Sequence, residues 1–167
     1  GTIIDFAGFT VPTGYLPCPA TGVSRLTFNA LFTALTTTQT ATRTSGSPTV
    51  TGLTDTSLIR VGCAVEGTGF AAGTTVTAIV SGTSLTLSNN AGSSGSSTMW
   101  FLPYGGGDGS TTFAVPDCRR RVGVGSGGTG TSTLASRLGA TGGEETHQLT
   151  TAEMPNHQHN SAGTRFP

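Results

Sequence analysis

The sequence predicts a mostly β protein with one short helix, in which a small all-β barrel or sandwich module is spliced into a second, discontinuous unit. Three observations carry that reading. The 167-residue chain holds 26 glycines and only 10% charged residues beside 34% hydrophobic ones, and its Thr- and Ser-rich, β-branched texture favours short strands and turns. Five strand-like stretches follow one another from Pro48 to Leu102. One apolar cluster with helical spacing lies outside that run, at 24–35. The expected organisation is an outer unit formed by 1–37 and 103–167, with 38–102 inserted in one of its loops.

Taken in order, GTIIDFAGFTVPTGYL (1–16) predicts a short apolar strand and then a turn at Pro12-Thr13-Gly14. Ser24 is placed to cap a short helix, SRLTFNALFTAL, whose apolar residues are Leu26, Phe28, Leu31, Phe32 and Leu35. TTTQTATRTSGS (36–47) has low complexity and reads as a linker or strand edge. PTVTG, LIRVGCAVEG, TTVTAIV, TSLTLS and STMWFL are the five strand candidates, and their even spacing indicates a small all-β module. Its expected core is Val50, Ile59, Val61, Val76, Ile79, Leu85, Leu87 and Trp100. Beyond 102 the chain is Gly-rich, with Asp108-Gly109 forming a turn. Thr150 or Thr151 starts one helical turn that ends before Pro155.

Charge excludes several classes. Eight arginines balance eight acids and lysine is absent, so nothing draws the chain to nucleic acid or to an anionic membrane. Low charge with this apolar content is not the signature of a disordered chain. No apolar run is long enough to span a bilayer, and no signal peptide is recognisable. The sequence starts at Gly1, with either a methionine removed or a segment upstream. A chain so rich in glycine buries little core alone, which association with copies of itself would repair. Cys18, Cys63 and Cys118 are odd in number and lack metal-site spacing, so they read as buried thiols and not as a disulfide framework.

The most informative motif is Glu153-Met154-Pro155-Asn156-His157-Gln158-His159. In an extended segment His157 and His159 share a face. Two imidazoles are too few to hold a transition metal firmly, but three copies meeting on an axis would supply six and an octahedral site. The alternative is a pair of hydrogen-bonded or exposed loop histidines. Arg119 and Arg121 of the Arg119-Arg120-Arg121 run would share a strand face and could grip a phosphate or carboxylate on a surface glycan. Pairing with Asp117, Asp108 or Asp5 is the competing account. Trp100 and Tyr104, with Phe101, would either stack on sugar rings or serve as core and hinge residues between the two units.

Catalytic signatures are weak. Gly123 to Gly128 fits G-x-G-x-x-G but lacks a βαβ context, and GGGDGSTT has no P-loop lysine. Glu144 and Glu145 are adjacent and face opposite sides when extended. Asp108 and Asp117 show no spacing that argues for a glycosidase pair. No Ser/His/Asp or Cys/His arrangement stands out, and the chain is expected not to be an enzyme.

Several of these stretches together resemble the phage tail collar domain family: GTIIDFAG, PTGYLPC, ALFTAL, YGGGDGSTTFAVPDCRRRVGVG and GGEETHQLTTAEMPNHQH. The match covers two blocks, 1–37 and 103–159, with the inserted stretch between them resembling a small β module of phage structural proteins. Arg120 stands where the family usually has Gly, and Cys118 where it has an aliphatic residue. In short tail fibres of the T-even type a similar domain forms an intertwined trimer, and paired histidines from three chains bind a metal on the axis. The resemblance thus implies a homotrimer with an iron or zinc ion on its axis held by His157 and His159. It implies a virion protein of the tail fibre or baseplate, made in the host cytoplasm, that contacts other tail proteins and a host-surface glycan or lipopolysaccharide. An assembly adaptor joining fibre to baseplate and a polysaccharide depolymerase are the other readings.

Overall fold

The computed structural model describes residues 2–18, 22–125, 139 and 142–157; over these the protein is mostly β, with one α-helix and two antiparallel sheets. In chain order, β1 (Val23–Ser24) precedes α1 (Asn29–Leu35) and β2 (Thr37–Arg43). There follow β3 (Thr49–Thr51), β4 (Ala64–Gly67), β5 (Val76–Ser81), β6 (Ser84–Leu87), β7 (Gly95–Leu102) and β8 (Thr112–Phe113). The larger sheet runs β4-β7-β2-β3-β6-β5, and the smaller pairs β1 with β8.

The low-complexity stretch is where expectation and structure part. TTQTATR is no linker: as β2 it lies inside the sheet, paired with β7 from Thr37↔Phe101 to Arg43↔Gly95 and with β3 on its other side. Thr38, Thr40 and Thr42 are exposed while Ala41 and Arg43 are buried, so the period of two is intact. Composition hides the strand because its inward residues are a small one and a cation.

β4 and β5 stand at opposite ends of the sheet order, yet their backbones meet. The Val65 N–H donates to the Thr74 carbonyl (2.7 Å), Val76 N–H to Cys63 (2.9 Å) and Gly62 N–H to Val76 (2.8 Å), around an antiparallel bridge between Ala64 and Thr75. Over that stretch the two outer strands satisfy one another's backbone groups and present no open edge.

Val50, Ile59, Val65, Leu85, Met99 and Phe101, all 0–1% exposed, lie in the core of this sheet. Of the expected core, Val76 and Leu87 are buried as well, but Val61 and Ile79 are 36% and 39% exposed. Val61 sits in a turn before β4. Ile79 follows one register shift of β5 and precedes another, which break the alternation the sequence pattern assumes. Trp100 is only partly buried and packs against a second core.

That second core joins Val23, Phe32, Phe113 and Val115 to Ala64 and Leu102 from the larger sheet. The β1–β8 pairing, Val23↔Phe113 and Ser24↔Thr112, brings together segments that flank the larger sheet in sequence. Phe32 meets Phe113 edge-on, with centroids 5.4 Å apart. The helix is shorter than its pattern. Ser24 caps the turn before it, its Oγ accepting from the Thr27 N–H (3.2 Å), and Leu26 in that turn is 91% exposed. α1 ends where Thr36 Oγ1 donates back to the Phe32 carbonyl (2.8 Å) and the backbone becomes extended.

No strand forms among residues 2–16, against expectation; this arm has no neighbouring strand to pair with. Its turn is as read, with the Tyr15 N–H donating to the Pro12 carbonyl (3.1 Å) and Gly14 at φ +87°. No helix among the described residues is long and apolar enough to cross a membrane.

Candidate functional site

A capped turn precedes His157, the first histidine of the His-x-His motif. Thr150 N–H (2.7 Å) and Oγ1 (2.9 Å) donate to Glu153 Oε2, closing the 3-10 turn Thr151–Glu153. The backbone bond, then the hydroxyl bond, holds the Glu153 carboxyl below its ordinary range. His147 is engaged by two carboxylates, Nδ1 meeting Glu144 and Nε2 lying 2.9 Å from Glu153 Oε1. After the turn Met154 is extended (φ −85°, ψ 133°), although no strand forms. His157 is exposed, with Nδ1 3.1 Å from the Pro155 carbonyl oxygen. When Nδ1–H donates there, Nε2 carries the lone pair, which is the tautomer of a metal-ligating histidine whose other nitrogen is fixed by a backbone carbonyl. His159 lies outside the described residues. Among the described residues no three His, Cys, Asp or Glu side chains gather into a metal-sized group.

The arginine run lies in a turn and not on a strand face. The Arg121 N–H donates to the Cys118 carbonyl (3.3 Å), and Arg120 at φ +56° is the only non-glycine with positive φ among the described residues. Arg119 grips Asp117 twice, Nε to Oδ1 at 3.1 Å and Nη2 to Oδ2 at 3.0 Å. That grip, helped by the Arg119 N–H, brings the Asp117 carboxyl down to about 2. Arg120 pairs with Glu145, so Glu144 and Glu145 have separate partners and form no dyad. Arg121 is exposed and makes no ion pair among the described residues. Asp108 instead closes its own loop, accepting from the N–H groups of Ser110, Thr111 and Thr112; with the Thr111 hydroxyl first, these bonds hold it far below the usual carboxylate range.

A cleft of about 430 Å³ opens between the N-terminal arm and the start of the arginine turn, lined by Ile3, Phe6, Phe9, Cys18, Cys118 and Arg119 among others. The aromatic pair lies elsewhere. Trp100 packs on the second core. Tyr104 is partly buried, and burial, then Cys118, pushes its hydroxyl up. Gly139 backs onto it so closely that a Cβ there would stand 2.7 Å from the Pro103 carbonyl oxygen. Trp100 thus occupies the junction between the sheets, and Tyr104 lies beyond the end of β7.

Sequence reasoning missed a half-buried arginine and a buried one, Arg25 and Arg43. Arg25 pairs with Glu66, their side chains 13% and 5% exposed. It also donates Nε to the Thr112 carbonyl (2.9 Å) and stacks 4.7 Å over the Phe32 ring. One guanidinium therefore ties β4, β8 and α1 together. Glu66 Oε1 has no hydrogen-bond partner among the described residues. The only signal was a carboxylate inside the apolar Ala-Val-Glu-Gly strand. Arg43, 6% exposed, donates Nη1 to Ser97 Oγ (2.7 Å) while its Nε is unpartnered. Compared with known proteins, the chain matches no protein-family model and no curated protein sequence.

Proposed function

We propose that this chain is a structural and recognition component of a phage tail fibre, working as an intertwined homotrimer whose axis carries a divalent transition metal, iron or zinc, held by His157 and His159. One observation carries the trimer. Ile3, Phe6, Phe9 and Tyr15 of the arm, with Val122 and Val124 beyond the arginine turn, are 45–110% exposed in a single chain. Covering side chains of this size contributes about 1.5–3 kcal/mol for each one fully buried. The sum is comparable with an association cost of about 4–15 kcal/mol, so copies of the chain are the fitting cover. With Nδ1–H donating to the Pro155 carbonyl, His157 would present Nε2 for ligation, and symmetry would multiply the ligand pair by three.

In this reading the hydrogen bonds between β4 and β5 close the larger sheet into a small barrel that is an insertion in a collar-like unit. Recognition of a host glycan or lipopolysaccharide rests on many weak contacts multiplied over subunits. Arg121, the run's one arginine without an ion pair among the described residues, is the best anchor for an anionic sugar. Arg119 is neutralised by Asp117, and Trp100 serves the junction first.

The test is mass in solution together with elemental analysis, on protein purified without a nickel column. A trimer with one metal per three chains, losing its metal and melting lower in the His157→Ala, His159→Ala variant, supports the proposal. A monomer refutes the trimer, and unchanged metal content in that variant refutes the site. Replacing 38–101 by a short linker then separates recognition from a purely architectural adaptor role, since only the former loses adsorption to host cells.

A further inference from the structure

Cys18 ends the N-terminal arm and Cys118 opens the arginine turn, far apart in sequence but side by side in the fold. Both line the same cleft, and they are near enough for Cys118 to help push the Cys18 thiol up. All three cysteines are thiols; Cys18 and Cys118 are partly exposed, whereas Cys63 is 3% exposed inside the first core. A small oxidant therefore reaches two of the three. Among the described residues no three His, Cys, Asp or Glu side chains gather into a metal-sized group here, which leaves the pair short of a structural zinc site. Two accessible thiols on the walls of one cleft are the makings of a disulfide.

We propose that Cys18 and Cys118 are an oxidisable dithiol, closed to a disulfide by a small disulfide oxidant such as glutathione disulfide, and that the bond staples the N-terminal arm to the arginine turn. One cysteine thiolate attacks a glutathione sulfur and one glutathione leaves as its thiolate. The other cysteine thiolate attacks the protein sulfur of that mixed disulfide, and the second glutathione leaves. The two cysteine protons end on the departing glutathiones, and the two electrons lost by the cysteines reduce the oxidant's sulfur–sulfur bond. Burial, then the facing Cys118 and Asp117, pushes the Cys18 thiol up, so the reaction accelerates as the pH is raised and more thiolate forms. The stapled segment is the arm whose apolar side chains are exposed, so the oxidation state decides whether that arm is held or can swing away.

The experiment treats the full chain with glutathione disulfide or with dithiothreitol, alkylates remaining thiols and maps peptides without reduction. The expected result is a cross-linked peptide pair containing Cys18 and Cys118, an intact mass lower by two hydrogen atoms, and Cys63 alkylated only after denaturation. The Cys118→Ser variant should instead carry a glutathione adduct on Cys18. Oxidation should also slow thermolysin cleavage between Ile3 and Phe9 by about tenfold, because the held arm must open before it is cut, and dithiothreitol should restore the rate. Persistent glutathione adducts on the unaltered chain with no cross-linked peptide would overturn the proposal. So would a link to Cys63, or one between chains.

Discussion

Replacing Arg25 by Met should be the most damaging single change in the molecule, and the structure says how damaging. The Glu66 side chain is 5% exposed, and one of its oxygens already has no hydrogen-bond partner among the described residues. Removing the guanidinium leaves a buried carboxylate uncompensated, a cost of about 3–5 kcal/mol. The bond to the Thr112 carbonyl goes with it, adding about 1 kcal/mol. Glu66→Leu is milder, because Arg25 is the more exposed partner and keeps its contacts with Thr112 and Phe32; about 2 kcal/mol is expected. The double variant strands no charge but still loses the bond to Thr112, so it should lie about 1 kcal/mol beyond Glu66→Leu alone, giving a coupling of about 3–5 kcal/mol. Urea unfolding midpoints of the four proteins, at one fixed chain concentration, measure this cycle. Single-variant losses that simply add would refute the argument, since the pair would then be no more than two independent surface charges.

Two further outcomes follow from the arginine turn. Arg120 holds φ +56°, a conformation that costs an L-residue about 1–2 kcal/mol. Arg120→Gly should therefore raise stability by about 1 kcal/mol, the exposed pair with Glu145 being worth less than that; an unchanged or lower melting temperature would contradict the strain. Arg119 holds the Asp117 carboxyl down to about 2, so its contribution is complete above the ordinary carboxylate value of about 3.9 and is lost as the pH falls through that window toward about 2. A carbon-detected titration of Asp117 should show the low midpoint, and Arg119→Ala should raise it part of the way to the ordinary range, the backbone N–H of residue 119 still donating.

The larger sheet was mostly legible in the sequence because period two and turn residues mark β3, β5, β6 and β7 independently of tertiary context. β2 was not, since seven residues dominated by threonine look the same in a linker and in a strand whose buried face is Ala41 and Arg43. The arm failed in the other direction: apolar residues at 1–16 were read as a strand, but a strand needs a neighbour, and in one chain none is offered. At the candidate sites the chemistry of residues was readable and their company was not. Asp117 beside Arg119 is a local pair that spacing could suggest. Arg25 with Glu66, and Cys18 with Cys118, are long-range contacts that the chain topology alone creates.

The pairing of β2 with β7 has a mechanical consequence. Their register begins at Thr37↔Phe101, so the two ends of the inserted segment leave side by side at the same end of one antiparallel ladder. Tension between residue 36 and residue 103 would peel that ladder one hydrogen bond at a time, the weakest way to load a sheet, instead of shearing all its bonds at once. The load has a second route through Phe32, Leu102 and Phe113 and the Arg25–Glu66 bolt. A pull on those two ends is therefore shared between the ladder and the bolt, and does not fall on the ladder alone.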